Sequence, residues 1–219
     1  YGFDRPTTPN VDALAEDGVL FTHTVTPVPL TLPAHSSMLT GTNPPFHGVR
    51  DNEDYQLAAL NVTLAETLKD QGLATGAVIG AFVLDSQFGL DQGFDWCQDR
   101  FDQSRELFGF AQRQGDEVTC YAVQWIEKHR QEPFFLFVHY FDSHVEYEPP
   151  EPFSSRFNDD LYVGEIAYTD RCLGHLVRML KGLDLYDSTL IIVTSDHGEM
   201  LGEHREKTHG YFIYESVVK

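Results

Sequence analysis

Basic side chains are scarce in this sequence: 15 Lys and Arg stand against 34 Asp and Glu, a formal charge of −19. A surface so negative repels nucleic acid and anionic lipid, so neither is expected as a partner. It repels anionic substrates as well. A phosphate or sulfate site here would need a local positive charge, and a metal ion is the simplest source. Solubility or adaptation to salt is the simpler account of the acidity. Cysteine is almost lacking, with Cys97, Cys120 and Cys172 far apart and odd in number. No C-x-x-C occurs, which argues against a zinc knuckle or a dithiol redox motif and leaves buried free thiols as the expectation. Long apolar runs are missing too. Phe134–Val138 and Leu190–Val193 are strand-sized and far too short to cross a bilayer, so no membrane segment is expected. No basic stretch followed by an apolar one opens the chain, so no signal peptide is visible. The first residue is Tyr1 rather than Met, and location stays open, a periplasmic or membrane-attached full-length protein included. Internal repeats, low-complexity tracts and linkers are absent.

What the chain does have is enough apolar material, 42% of 219 residues, for a buried core. Thr8-Pro9 opens a short helix that Gly18 stops, with Thr8 as its cap. Val19–Val25 reads as a strand, and Pro33–Leu39 as a helix ending at Gly41. A helix begins at Asn61 or Thr63 and runs to Lys69, closed by Gly72; Ala74–Ile79 follows as a strand. Phe82–Gly115 reads as an excursion of loops and short helices. The spacing of Val118, Tyr121, Ala122, Trp125, Ile126 and His129 is helical. Phe134–Tyr140 is a continuous apolar strand suited to a sheet covered on both faces. Leu161–Leu180 predicts a long helix, and Thr189–Thr194 a second fully apolar strand. Strands alternating with helices imply an α/β fold, a largely parallel sheet sandwiched between helices, in one domain over residues 1–219. Ligands in such folds sit beyond the carboxyl ends of the strands, which directs attention to the loops after Val25, Tyr140 and Thr194.

Three clusters in those loops could carry chemistry. In TPVPLTLPAHSSMLTG (Thr26–Gly41), Thr31 stands near a helix N-terminus, where free N–H groups and the helix dipole favour an anion. Its hydroxyl could attack phosphorus or sulfur if a metal lowered its pKa, or it could merely cap the helix. In TSDHGEMLGEHREKTHG (Thr194–Gly210), an apolar strand delivers Asp196 and His197 into a Gly-containing loop that also holds His204 and His209. A carboxylate with an imidazole suits Zn, Mn or Mg, and Ca less well. In FVHYFDSHVEYEPP (Phe137–Pro150), His139 reads as a packed core residue. Asp142 and His144 lie beyond it and could bind metal, polarise an ester or protonate a leaving group.

Taken in this order, the clusters resemble the sulfatase family of the alkaline-phosphatase superfamily. YGFDRPTTPNVDALAEDGVLF is similar to the family's segment after its first metal-binding strand, TLPAHSSMLTGTNPPFHGVRDN to the nucleophile segment and SDHGEMLGEH to the second metal segment. HGYFIYESVVK resembles the stretch before the last core strands. The resemblance implies an alkaline-phosphatase-like core, a divalent metal (Mn, Zn or Ca), a small anionic ester as substrate and a nucleophile at Thr31. The family frame C/S-x-P-x-R reads here Thr31-Leu32-Pro33-Ala34-His35. Thr cannot become formylglycine and His35 replaces the Arg, so the chain resembles those superfamily members that use Thr directly, and a phosphate ester is favoured over a sulfate. Asp196 and His197 match the metal pair, joined by Thr31. His144 matches the histidine that contacts the transferred group, and His209 lies near a substrate-binding Lys; His35 and Lys207 are the expected substrate contacts. The resemblance also implies that the strand bearing the first two metal-binding Asp residues precedes Tyr1 and that core strands follow Lys219. The expectation is therefore a truncated, inactive domain with an incomplete metal site.

For the full-length protein the expected chemistry is two-step: Thr31 attacks, His144 or His209 helps the leaving group depart, and water releases the covalent intermediate. Two other readings stay open. A phosphotransferase or mutase would pass the group to an alcohol, and a degenerate, non-catalytic member would only bind an anion or a partner.

Overall fold

A computed structural model describes residues 3–101, 106–107 and 110–219. Tyr1, at the head of the family-like opening segment, and part of the 82–115 excursion lie outside the described residues.

Helices α1 (Pro9–Asp17), α2 (Thr31–Thr40), α3 (Pro44–His47) and α4 (Leu64–Asp70) precede strand β1 (Ala74–Val78). Two single 3-10 turns, then β2 (Trp96–Gln98) and the short β3 (Glu106–Leu107) and β4 (Phe110–Ala111), make up the excursion. Helix α5 (Gly115–His129), β5 (Phe134–Val138), α6 (Phe153–Arg156), α7 (Leu161–Gly182) and α8 (Glu215–Val218) complete the order. The main sheet runs β2–β1–β5 and is parallel throughout, with Ala74 opposite Phe134 and Gly76 opposite Trp96. β3 and β4 form a separate antiparallel pair.

The alternation of side chains along these strands builds a core on each face. Ala77, Ile79 and Phe137 meet Leu32 and Leu39 of α2. Val78, Phe134, Leu136 and Val138 meet Val118, Trp125 and Ile126 of α5 and Leu176 and Leu180 of α7. Each large side chain fully buried in this way contributes about 1.5–3 kcal/mol. Gly76 makes the second face possible, because a Cβ there would stand 2.5 Å from the Trp125 ring. The sandwich expected from the apolar pattern is thus the one found. The Thr63–Glu66 capping box starts α4, and Gly41 in the left-handed conformation ends α2. Thr8 stands at the cap of α1 but bonds the Asp12 carboxylate rather than the backbone. α1 is held instead by Asp170 of α7, which accepts from Asn10 N, Val11 N and Asn10 Nδ2 at 3.1, 2.9 and 2.6 Å.

Two expected strands do not form. Val19–Val25 and Thr189–Thr194 enter no backbone ladder among the described residues, and Val19, Phe21, Leu190 and Ile192 are each more than three-quarters exposed. Their β-prone composition was read correctly, but a strand exists only against a neighbour, and neither segment has one in a sheet among the described residues. Conversely β2 is only three residues long, too short to be read from pattern. All three cysteines are free; Cys172 is buried as expected, whereas Cys97 is half-buried and Cys120 exposed.

Candidate active site

Because the three strands are parallel, their carboxyl ends share one rim, where His139 N–H continues the ladder to Val78 O at 2.9 Å. Onto that rim the chain brings Thr31, His35, His139, His144, Asp196, His197, Glu199 and His209.

Thr31 is the first residue of α2, behind an extended Leu30 that has no side chain able to cap. Thr31 is therefore not the cap. That task falls to Asn52, whose Oδ1 accepts from Leu32 N–H at 2.8 Å from twenty positions away in sequence. Thr31 is buried, and its Oγ1 lies 3.5 Å from His197 Nε2. His197 donates from Nδ1 to Gly198 O at 2.8 Å, which leaves Nε2 with a lone pair turned toward Thr31 and, at 3.3 Å, Asp196 Oδ2. Burial holds His197 below the ordinary imidazole value although Asp196 opposes the shift. Asp196 itself lies below its ordinary value: burial works against its charge, and His35, His197 and His139 together outweigh burial.

His35 is buried one turn into α2. Its Nδ1 donates to Thr31 O at 2.8 Å and stands 3.6 Å from Asp196 Oδ2. His139 packs edge-on against it, ring centroids 4.9 Å apart, and accepts from Gly80 N–H. Burial, reinforced by His35, pushes His139 down to about 3, the neutral core histidine expected.

The remaining group comes from the other two loops. His144 donates from Nδ1 to Val145 O at 2.6 Å and stacks on Phe141 at 4.4 Å. Burial lowers its pKa, so a neutral ring presents a bare Nε2. His209 lies 4.0 Å from the His197 ring and 5.1 Å from that of His144, with Nδ1 3.1 Å from both Glu199 oxygens. Side chains of His144, Glu199 and His209 offer ligand atoms all within 4.8 Å of one another. Burial works against the Glu199 charge, but the His209 hydrogen bond and charge outweigh it and hold the carboxyl below its ordinary value.

The sequence therefore pointed to Thr31, His35, His144, Asp196, His197 and His209, and the fold brings all six together, His35 buried against Thr31 O and Asp196. Lys207 is exposed on the same loop, without an ion pair among the described residues; His204 is exposed and stacks on Tyr214 at 4.0 Å. Asp142 turns away from the cluster to accept from Gly115 N–H at 2.8 Å. Asn52 and Glu199 were missed. Glu199 carried a faint signal, lying two residues past His197 in a loop already rich in ligands.

The Sulfatase family model matches residues 1–214, and the chain belongs to that family. It is 27% identical to an ulvan-active sulfatase of Formosa agariphila, over 89% of this chain and 46% of the relative, and 26% identical to bovine (Bos taurus) arylsulfatase A, over 96% and 50%. The chain spans about half the length of these curated relatives. Among solved structures it superposes on the phosphonate monoester hydrolase of Agrobacterium radiobacter with a TM-score of 0.82 at 21% identity, covering 99% of this chain and 62% of that one. An alkaline-phosphatase-superfamily protein from Vibrio parahaemolyticus gives 0.70 at 20% identity, covering 98% and 54%. The fold is that of the superfamily. Sulfatases of this superfamily generally use a divalent metal ion, and the donors here suit one: a carboxylate of lowered pKa, two imidazoles with bare Nε2 atoms and a hydroxyl. No helix among the described residues is long and apolar enough to cross a membrane.

Proposed function

We propose that this chain carries the nucleophile and much of the metal-binding apparatus of a hydrolase that cleaves phosphate or sulfate esters, with phosphate favoured. The observation that carries the reading is the approach of Thr31 Oγ1 to a His197 Nε2 whose other nitrogen is already committed to Gly198 O. Asp196, His197 and Thr31 would hold a divalent cation, which supplies Lewis acidity to lower the hydroxyl pKa and offset the charge of the ester.

The chain's own residues account for the rest. Thr31 Oγ forms a bond to phosphorus or sulfur as the bond to the leaving oxygen breaks, and its proton passes to solvent. The departing oxygen needs a proton. We give His209 the general-acid role, a reading supported by the Glu199 carboxylate 3.1 Å from its Nδ1, which orients the ring. His144, neutral with a bare Nε2, suits a cation or an acidic hydrogen better than a naked anionic oxygen. His35 ties Asp196 to the first turn of α2. Water then attacks the Thr31 ester, releases the oxyanion and restores the hydroxyl. The phosphate preference follows from chemistry: a threonine hydroxyl attacks directly, without conversion to an aldehyde.

The test is a panel of aryl phosphate monoesters, diesters and sulfates offered to the protein that contains this chain, with and without Mn²⁺ or Zn²⁺. Thr31→Ala should abolish turnover. Retained activity rules out Thr31 as nucleophile.

A further inference from the structure

The strap from Asp142 to Glu148 carries His144 over the site, and a buried carboxyl fastens each of its ends. At the near end Asp142 Oδ1 accepts from the N–H of Gly115, the first residue of α5, at 2.8 Å. At the far end Glu165 Oε1 accepts from Glu148 N–H at 2.8 Å. Between these anchors the ring is set by its stack on Phe141, by the Nδ1–H bond to Val145 O, and by His144 N–H donating to Phe141 O at 3.1 Å.

Glu165 is an unusual choice for its place. It sits in the second turn of α7, 4% exposed, and has no ion pair among the described residues. Burial pushes its carboxyl up to about 8, with the charge of Asp142 adding to the shift and the Glu148 N–H opposing it. A buried carboxyl without a cation works against folding, and an apolar side chain of similar size would serve the packing better. What an apolar side chain cannot do is accept a hydrogen bond from the strap.

We propose that Glu165 is a positioning residue for His144: its oxygen holds the far end of the strap and thereby sets where the His144 ring stands against Glu199 and His209. The catalytic weight of this arrangement rests on the proposed function and on His144 contacting the reacting group there; the positioning itself does not.

Hydrogen exchange and NMR on the chain test it. In the wild type the Glu148 amide should exchange at least about 100-fold more slowly than an open peptide. Glu165→Gln keeps an acceptor in place and should keep both that protection and the nuclear Overhauser contact between the His144 and His209 rings. Glu165→Leu should lose both while its Tm holds or rises, since a buried carboxyl has given way to an apolar group. A merely structural Glu165 gives the reverse: the Leu variant melts earlier and the ring contact persists. That result overturns the proposal, as does a freely exchanging Glu148 amide in the wild type or loss of the ring contact in the Gln variant. Should the Leu variant fail to fold, the wild-type exchange and the Gln variant still decide. His144→Ala with unchanged turnover would sink the catalytic reading and leave the positioning result standing.

Discussion

Asn52→Ala isolates the contact that caps the helix beginning at Thr31. The first turn of α2 begins behind Leu30, so the N–H of fully buried Leu32 depends on Asn52 Oδ1 at 2.8 Å. Alanine removes a cap, which costs about 0.5–2 kcal/mol, and leaves a buried donor unpaired, which costs about 1–3 kcal/mol. The two ranges describe one bond from two sides and do not add, so the expected loss is about 2 kcal/mol. For a domain of 150–250 residues that is a fall of about 4–8 °C in Tm. Urea unfolding followed by circular dichroism measures it as a shift of about 0.7–1 M in midpoint with unchanged slope. Asn52→Asp keeps an acceptor and adds a charge that the helix N-terminus favours, so it should recover most of the loss. A loss under about 0.5 kcal/mol in the Ala variant would show that Leu32 N–H finds another partner, and the account of how Thr31 is held would fail with it.

Two further outcomes follow from the same geometry. Mn²⁺ or Zn²⁺ should raise the Tm in a concentration-dependent way that EDTA reverses, since a ligand of the folded state stabilises by mass action. Asp196→Ala or His197→Ala should abolish that rise; an undiminished rise in both variants would place the metal elsewhere. Stability should also respond to pH through Glu165. Its folded pKa of about 8 lies above the ordinary carboxylate value, so the native state holds a proton that the unfolded state has released. Stability therefore declines as pH climbs from about 5 to 8. Asp142, raised to about 6 chiefly by burial, acts in the same direction over the lower part of that window. The lowered imidazoles of His139, His144 and His197 act the other way below about 6.5. The comparison that isolates Glu165 is the difference between wild type and Glu165→Gln, which should widen toward pH 8. A pH-independent difference would refute the assignment.

How much of this was legible beforehand depended on whether the information was local. β1, β5, α5 and α7 were readable because apolar spacing and length are properties of a segment by itself, and both faces of the sandwich followed from them. Val19–Val25 and Thr189–Thr194 look the same by that measure, yet a ladder needs a partner that no local pattern reports. The site was legible to the extent that its residues stood beside local apolar patterns: Asp196, His197 and His144 announced themselves by following apolar runs, and Thr31 by standing at a helix start. Asn52, Glu199 and Glu165 act on backbone or side chains far from them or across a loop, and an Asn or Glu between other polar residues carries no mark of that duty. Asp142 was the opposite case. It had the right type and place, but the N-terminus of α5 claimed it first.

The outer side of β5 has a bearing on how the molecule must be handled. Nineteen surplus negative charges keep copies apart at a distance. At contact range β5, a strand of Phe and Leu at one edge of the sheet among the described residues, invites a neighbour to pair along it. The repulsion reaches only about 10 Å at 0.1 M salt and about 3 Å at 1 M. Concentrated stocks in dilute buffer should stay clear, and the same stocks in brine should cloud.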